Sequence, residues 1–243
     1  MTYCLGILLP AGLVMASDSR SNAGVDQVNL VKKQTIFEVP GQRVIAILSA
    51  GNLATTQAVV TGLREMAGSG RFGQDIHAAM SMFEVAQMVG NKLREVIARD
   101  GSFVQPFGDP NGTFLVGGQI AGEAPRLFHI YSAGNFVEAS DRSRFLQIGE
   151  TKYGKPILDR ALGGMSSLDE AAKLSLLSFD ATMRSNLSVD APIDLLRYTT
   201  GSFHARNFAT LEKDDPYWME LRTRYADGLS SLVASIPPPP VWG

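Results

Sequence analysis

The feature that most constrains the fold sits at the very start of the chain. Tyr3–Leu9 is apolar, Pro10-Ala11-Gly12 is a turn signal, and Leu13–Ser17 is apolar again, so the chain opens on a β-hairpin. A two-residue turn on Pro10-Ala11 or on Ala11-Gly12 pairs positions whose numbers sum to about 21 to 23. Thr2 then lies opposite residues 19 to 21, and Asp18 and Arg20 come close to the chain's own beginning. Residues two apart on a strand share a face, so Asp18 and Arg20 point one way and Ser19 the other. An acid and a base are thereby set beside a near-terminal threonine. The competing reading of Asp18-Ser19-Arg20 is a solvated strand end.

The rest of the chain reads as alternating β-rich and helical groups. Val28–Val31, Thr35–Val39 and Arg43–Ala50 are further strands, the last two joined at Pro40-Gly41. Asn52 caps a helix running to about Met66, and a second helix spans about Asp75–Arg99. Strands follow at Thr113–Gly117, Arg126–Tyr131 and Phe136–Ala139. Two helices come next, about Lys152–Leu162 and Ser167–Ser185, the latter opened by the capping box Ser167-Leu168-Asp169-Glu170. Ile193–Thr199 and Ser202–Ala209 form a closing strand pair, and Asp215-Pro216 opens a last helix, about Tyr217–Ser235, ahead of the Pro237–Pro240 run. This order predicts an α+β fold, two sheets face to face with helices outside, rather than a doubly wound one. With no linker composition anywhere, residues 1–243 are expected to form one domain.

Several function classes are disfavoured by what surrounds this pattern. A net charge of −2 gives no reason to expect nucleic acid or an acidic membrane as partner. The single cysteine, Cys4, fits a reducing compartment and reads as core. The apolar run behind Met1 has no basic residues ahead of it, and no stretch approaches the roughly 18 apolar residues of a span, so the expected compartment is the cytoplasm. His77, His129 and His204 lack metal-ligand spacing, and neither Gly117-Gly118 nor Gly163-Gly164 has the context of a nucleotide loop. Neither a metal nor a cofactor is expected.

Met1-Thr2 ahead of a strand, the stretch Ala16-Ser17-Asp18-Ser19-Arg20-Ser21-Asn22-Ala23-Gly24, Lys32-Lys33 before an apolar strand, and Ser49-Ala50-Gly51 at a strand-to-helix junction together resemble proteasome β-subunits and their bacterial relatives. The short Met-Thr-Tyr-Cys start is most similar to the bacterial ancestral β-subunit group called Anbu. The resemblance implies a four-layer αββα sandwich of the N-terminal-nucleophile (Ntn) hydrolase type that assembles from copies of itself, as a ring or a helix. It leaves an ATPase partner open. Residues 211–243 read as an extension carrying the last helix and the proline-rich tail.

The resemblance also implies a mechanism. A threonine hydroxyl is a weak nucleophile until a base takes its proton. With Met1 removed, the α-amine of Thr2 becomes that base, and an amine with a pKa of about 7.7–8.0 is roughly 10–20% neutral at pH 7. A nearby ammonium depresses it further. Lys33 takes that role by resemblance, with Asp18 pairing it and Arg20 beside them; Lys32 stays open as the alternative, on the opposite strand face. Gly51 falls where the family aims a backbone N–H at the developing oxyanion. Ser49, Ser21 and Val31 fall along the substrate pocket. In Met183-Arg184-Ser185-Asn186-Leu187-Ser188, Ser188 keeps the place of a family serine, while Ser185 stands where the family holds an acid near the amine. The implied activity is peptide-bond hydrolysis by Thr2. The alternatives are an amidase on a non-peptide amide and a weakly catalytic assembly or scaffold protein of the same fold.

Overall fold

A computed structural model describes residues 1–22 and 28–240. Ala23 and Gly24 of the motif stretch, and the side chain of Ser21, lie outside the described residues. The opening hairpin is formed by β1 (Tyr3–Leu9) and β2 (Gly12–Asp18), with Pro10-Ala11 as its turn. Cys4 faces Ser17 and Leu9 faces Gly12, the Pro10-Ala11 alternative of the two turns, and two further steps in the same register lead to Thr2 and Ser19. β1 is flanked on its other side by β10 (Phe145–Gly149), and β2 by β11 (Ile193–Thr199), which pairs with β12 (Phe208–Leu211). All these pairings are antiparallel.

The second sheet runs β5 (Gln34–Val39), β6 (Arg43–Gly51), β7 (Gly112–Ile120), β8 (Arg126–Ile130) and β9 (Phe136–Glu138), each antiparallel to the next. A small ribbon of β3 (Arg20–Asn22) and β4 (Val28–Leu30) lies between the two sheets in sequence. Helices α1 (Leu53–Met66) and α2 (Met82–Val104) cover the outside of the second sheet. The first sheet is covered by α3 (Lys155–Ala161), α4 (Leu168–Ser185) and the start of α5 (Pro216–Ser235).

Three apolar layers hold the sandwich together. Ile45, Ile47, Phe114 and Phe128 meet Val59, Leu63, Val89 and Leu93 between the second sheet and its helices. Tyr3, Leu5 and Ile7 meet Phe179, Leu176 and Trp218 between the first sheet and its helices. Leu13, Met15, Leu48 and Leu115 fill the gap between the sheets. Each fully buried large side chain contributes about 1.5–3 kcal/mol relative to exposure. The central hairpin is apolar on both faces because one face meets helices and the other meets the second sheet.

Four sequence expectations are corrected. The helix expected from Asp75 begins at Met82, because the Asp75 carboxylate is spent on the loop: it accepts the N–H groups of Gly68, Gly70 and His77 at 2.8 Å, and Ser81 caps the helix instead. Its far end reaches Val104, past Arg99. The helix expected from Lys152 starts at Lys155 behind Gly154, and the strand expected from Ser202 starts at Phe208, after a loop in which Gly201 (φ +77) and Phe203 (φ +47) leave extended geometry. β10 was not foreseen at all. It borders β1, the strand that Thr2 leads into.

Candidate active site

The hairpin brings its strand end and the following segment together by local pairing. The N–H of Tyr3 donates to Asp18 Oδ1 at 2.9 Å, tying the first strand residue to the last residue of β2. Asp18 is fully buried, and its Oδ2 accepts from Lys33 Nζ at 2.6 Å. The ammonium also donates to the carbonyl of Arg20 at 2.5 Å. The Lys33 carbonyl accepts the Ser49 N–H at 3.1 Å, which extends the β5–β6 pairing by one residue and fixes Lys33 opposite Ser49. Of the two lysines, Lys33 reaches Asp18, whereas Lys32 is exposed along the cleft.

Thr2 is half-buried at the mouth of a cleft of about 560 Å³. Val31, Lys33, Ser49, Gly51 and Leu53 line the cleft with it. Val31 is fastened by its N–H to the Ser19 carbonyl at 2.8 Å. Gly51 takes φ +109, and a Cβ there would lie 2.5 Å from the Asn111 carbonyl oxygen, so glycine is required for β6 to turn into α1 beside the cleft. Asn52 then caps α1 by accepting the Thr55 N–H. Arg20 directs its guanidinium away from Lys33, to Asp190 at 3.1 Å, and Ser19 donates to the buried Asp194.

Electrostatics at this corner act on the terminal amine. Burial and then the Lys33 ammonium pull the α-amine of Met1 below the usual α-amine range, with Arg20 adding to the effect; Asp18 and Glu150 oppose it. Burial pushes the Asp18 carboxyl up, and Lys33 and the Tyr3 N–H pull it back. The neighbouring Cys4 thiol is fully buried and donates to the Ser49 carbonyl at 3.6 Å; burial raises its pKa, so it is a poor thiolate nucleophile.

Two expected contributors sit differently from the rest. Ser188 offers its backbone N–H to Asn186 Oδ1 at 3.0 Å, and among the described residues no hydrogen bond joins it to Thr2. Ser185 is exposed at the end of α4. The sequence reading missed Glu150, which is buried and whose N–H donates to the Thr2 carbonyl at 2.7 Å, and Asn186, which donates to Glu150 Oε2 at 3.0 Å. The one signal that could have found them was the Phe145–Gly149 strand ending in a glycine. Among the described residues no cluster of three or more His, Cys, Asp or Glu could hold a metal. A comparably large cleft, about 590 Å³, lies between β10 and α3, where Arg144 pairs with Asp141 and Lys155 with Asp159.

Two stacked antiparallel sheets between helical layers, with a cleft at the end of the first strand, define the proteasome-like class of Ntn-hydrolase fold. The chain belongs to the proteasome-subunit family: the family model described as Proteasome subunit matches residues 2–194. Solved structures extend the likeness over almost the whole chain. Anbu (ancestral beta-subunit) from Yersinia bercovieri is 43% identical with a TM-score of 0.93, over 99% of this chain and 100% of that one. A Gly-1 mutant of Anbu from Hyphomicrobium sp. strain MC1 is 45% identical with a TM-score of 0.91, over 99% and 100%. The Anbu complex from Pseudomonas aeruginosa, solved as a helical assembly, is 42% identical with a TM-score of 0.93, over 98% of each chain. No curated protein matched the chain. No helix among the described residues is long and apolar enough to cross a membrane.

Proposed function

We propose that this protein is an N-terminal threonine hydrolase that cleaves peptide bonds, with Thr2 as nucleophile once Met1 is removed. The observation that carries the reading is the buried Asp18–Lys33 pair, at 2.6 Å, behind a threonine that opens onto a cleft. In this mechanism the Thr2 α-amine, kept partly neutral by burial and by Lys33, takes the hydroxyl proton. The hydroxyl oxygen attacks the substrate carbonyl, and the Gly51 N–H meets the developing oxyanion. The amine then returns its proton to the leaving group, and water releases the acyl chain from Thr2. Asp18 holds Lys33, Arg20 supplies the carbonyl that steadies its ammonium, and Ser49 and Val31 line the pocket that receives the substrate side chain.

The same reading takes residues 1–243 as one domain extended by residues 211–243, cytoplasmic, and assembled from copies of itself. The helical assembly of the Pseudomonas aeruginosa relative supports self-association. The deciding experiment is intact-mass analysis before and after treatment with a threonine-directed electrophile such as an epoxyketone. The expected result is a chain lacking Met1 that gains one adduct, with Thr2→Ala gaining none. A chain that retains Met1 and takes up no reagent would leave the fold as a scaffold and end the hydrolase reading.

A further inference from the structure

The pairing of Tyr3 with Gly149 makes Glu150 the residue directly across from Thr2. The approach is close: Gly149 takes φ +81, and a Cβ there would lie 1.9 Å from the Thr2 carbonyl oxygen. Glu150 therefore follows a position at which the backbones nearly touch, and its N–H closes on Thr2 at 2.7 Å. Its side chain is only 8% exposed, unusual for a glutamate with no cationic partner within ion-pair distance among the described residues. Instead Oε2 accepts the Asn186 amide at 3.0 Å and Oε1 accepts the Lys152 N–H at 3.4 Å, neutral donors that orient the carboxylate without cancelling its charge. Asn186 is in turn the C-cap of α4, immediately after Ser185.

We propose that Glu150 is the positioning residue of the α-amine: its carboxylate, held by Asn186, faces the freed amine of Thr2 from β10 and supplies the negative charge that Ser185 cannot. This rests on the hydrolase reading for its purpose, but not for its geometry. The charged groups that act on the α-amine of Met1, one residue ahead of the amine that Thr2 would expose, are Lys33, Arg20, Asp18 and Glu150. The first two disfavour the ammonium and the last two favour it, and Asp18 is already committed to Lys33 and the Tyr3 N–H. Glu150, held only by neutral donors, is then the counterweight. It lets the ammonium formed after proton abstraction persist until it passes its proton to the leaving group.

The test is Glu150→Gln, which keeps the shape of the side chain and the oxygen that Asn186 binds while removing the charge. The readout is competitive acetylation of the α-amine with acetic anhydride, followed on the N-terminal peptide across the ordinary α-amine range, about pH 7.7–8.0, and well to either side. The midpoint should move to lower pH in Glu150→Gln. It should move the same way, by less, in Asn186→Ala, and stay in place in Glu220→Gln on the exposed face of α5. A superimposable or upward-shifted profile in Glu150→Gln overturns the proposal, because a merely structural glutamate is fully replaced by glutamine. If the midpoint moves but the wild type never reacts with the electrophile, Glu150 stands and the hydrolase reading falls. If the electrophile reacts with Thr2 but the midpoint is fixed, the reverse holds.

Discussion

Replacing Asp18 by asparagine tests how much the buried Asp18–Lys33 pair contributes to stability. The substitution keeps size and leaves an amide oxygen to accept the Tyr3 N–H, so the loss is confined to charge. Lys33, with a side chain 7% exposed, keeps only the Arg20 carbonyl as a fixed acceptor. The smallest expected loss is one charge-assisted hydrogen bond, about 1.5–3 kcal/mol. Breaking a buried pair by removing one partner costs about 3–5 kcal/mol, which sets the upper end. A loss near 3 kcal/mol lowers the melting temperature by roughly 6–12 °C for a chain of this size. The assay is urea denaturation followed by tryptophan fluorescence at fixed protein concentration, since association would otherwise shift the midpoint. The double variant Asp18→Asn/Lys33→Met removes the stranded charge and should be more stable than Asp18→Asn alone. A single-variant loss below about 1 kcal/mol, or a double variant worse than the single, would refute the argument.

Three further outcomes follow from the same corner. Lys33→Ala should lose reaction with the electrophile while Lys32→Ala, whose side chain is exposed and makes no contact with Asp18, keeps it; the opposite pattern would exchange the two lysines' roles. Burial and Lys33 lower the α-amine of Met1; the Thr2 amine, exposed to the same groups once Met1 is removed, should act as base in its neutral form, so the rate of Thr2 labelling should rise with pH along a limb centred below the ordinary α-amine value. A limb centred at or above that value would remove the amine from the mechanism. Light scattering at micromolar concentration should give a mass well above that of one chain, and a monomeric mass would count against assembly.

What the sequence disclosed and what it hid divide along contact range. Asp18 and Arg20 were legible because a hairpin is a local object: once its turn is placed, the residues near Thr2 follow from counting, and the structure takes the Pro10-Ala11 turn, whereas Lys33 came from the family resemblance. The αββα layering was legible for a similar reason, since the order of β-rich and helical groups leaves few ways to bury the apolar faces. The far side of β1 was not. Nothing local to Phe145–Gly149 says which strand it joins, because an edge strand is specified by its partner's exposed backbone rather than by its own pattern. Asp75 shows the same limit in another form. Its position suits a helix start, yet three loop N–H groups compete for its carboxylate and win, because satisfying three donors outweighs capping one.

This division bears on how the apparent loss of an acid at Ser185 should be read. Aligned residue by residue, the chain lacks a carboxylate at the end of α4, and that alone argues for a disabled site. In three dimensions the requirement is for negative charge near the amine, and it does not specify which element delivers it. Asn186 can bind a carboxylate as readily as Ser185 could have been one, and it binds Glu150, which the β1–β10 register holds against Thr2. The replacement is also more firmly placed. The Glu150 backbone is hydrogen-bonded to Thr2, whereas a side chain at Ser185 would lie on an exposed helix terminus. A site with its acid relocated differs in pH response from one that has lost it, and the Glu150→Gln titration separates the two.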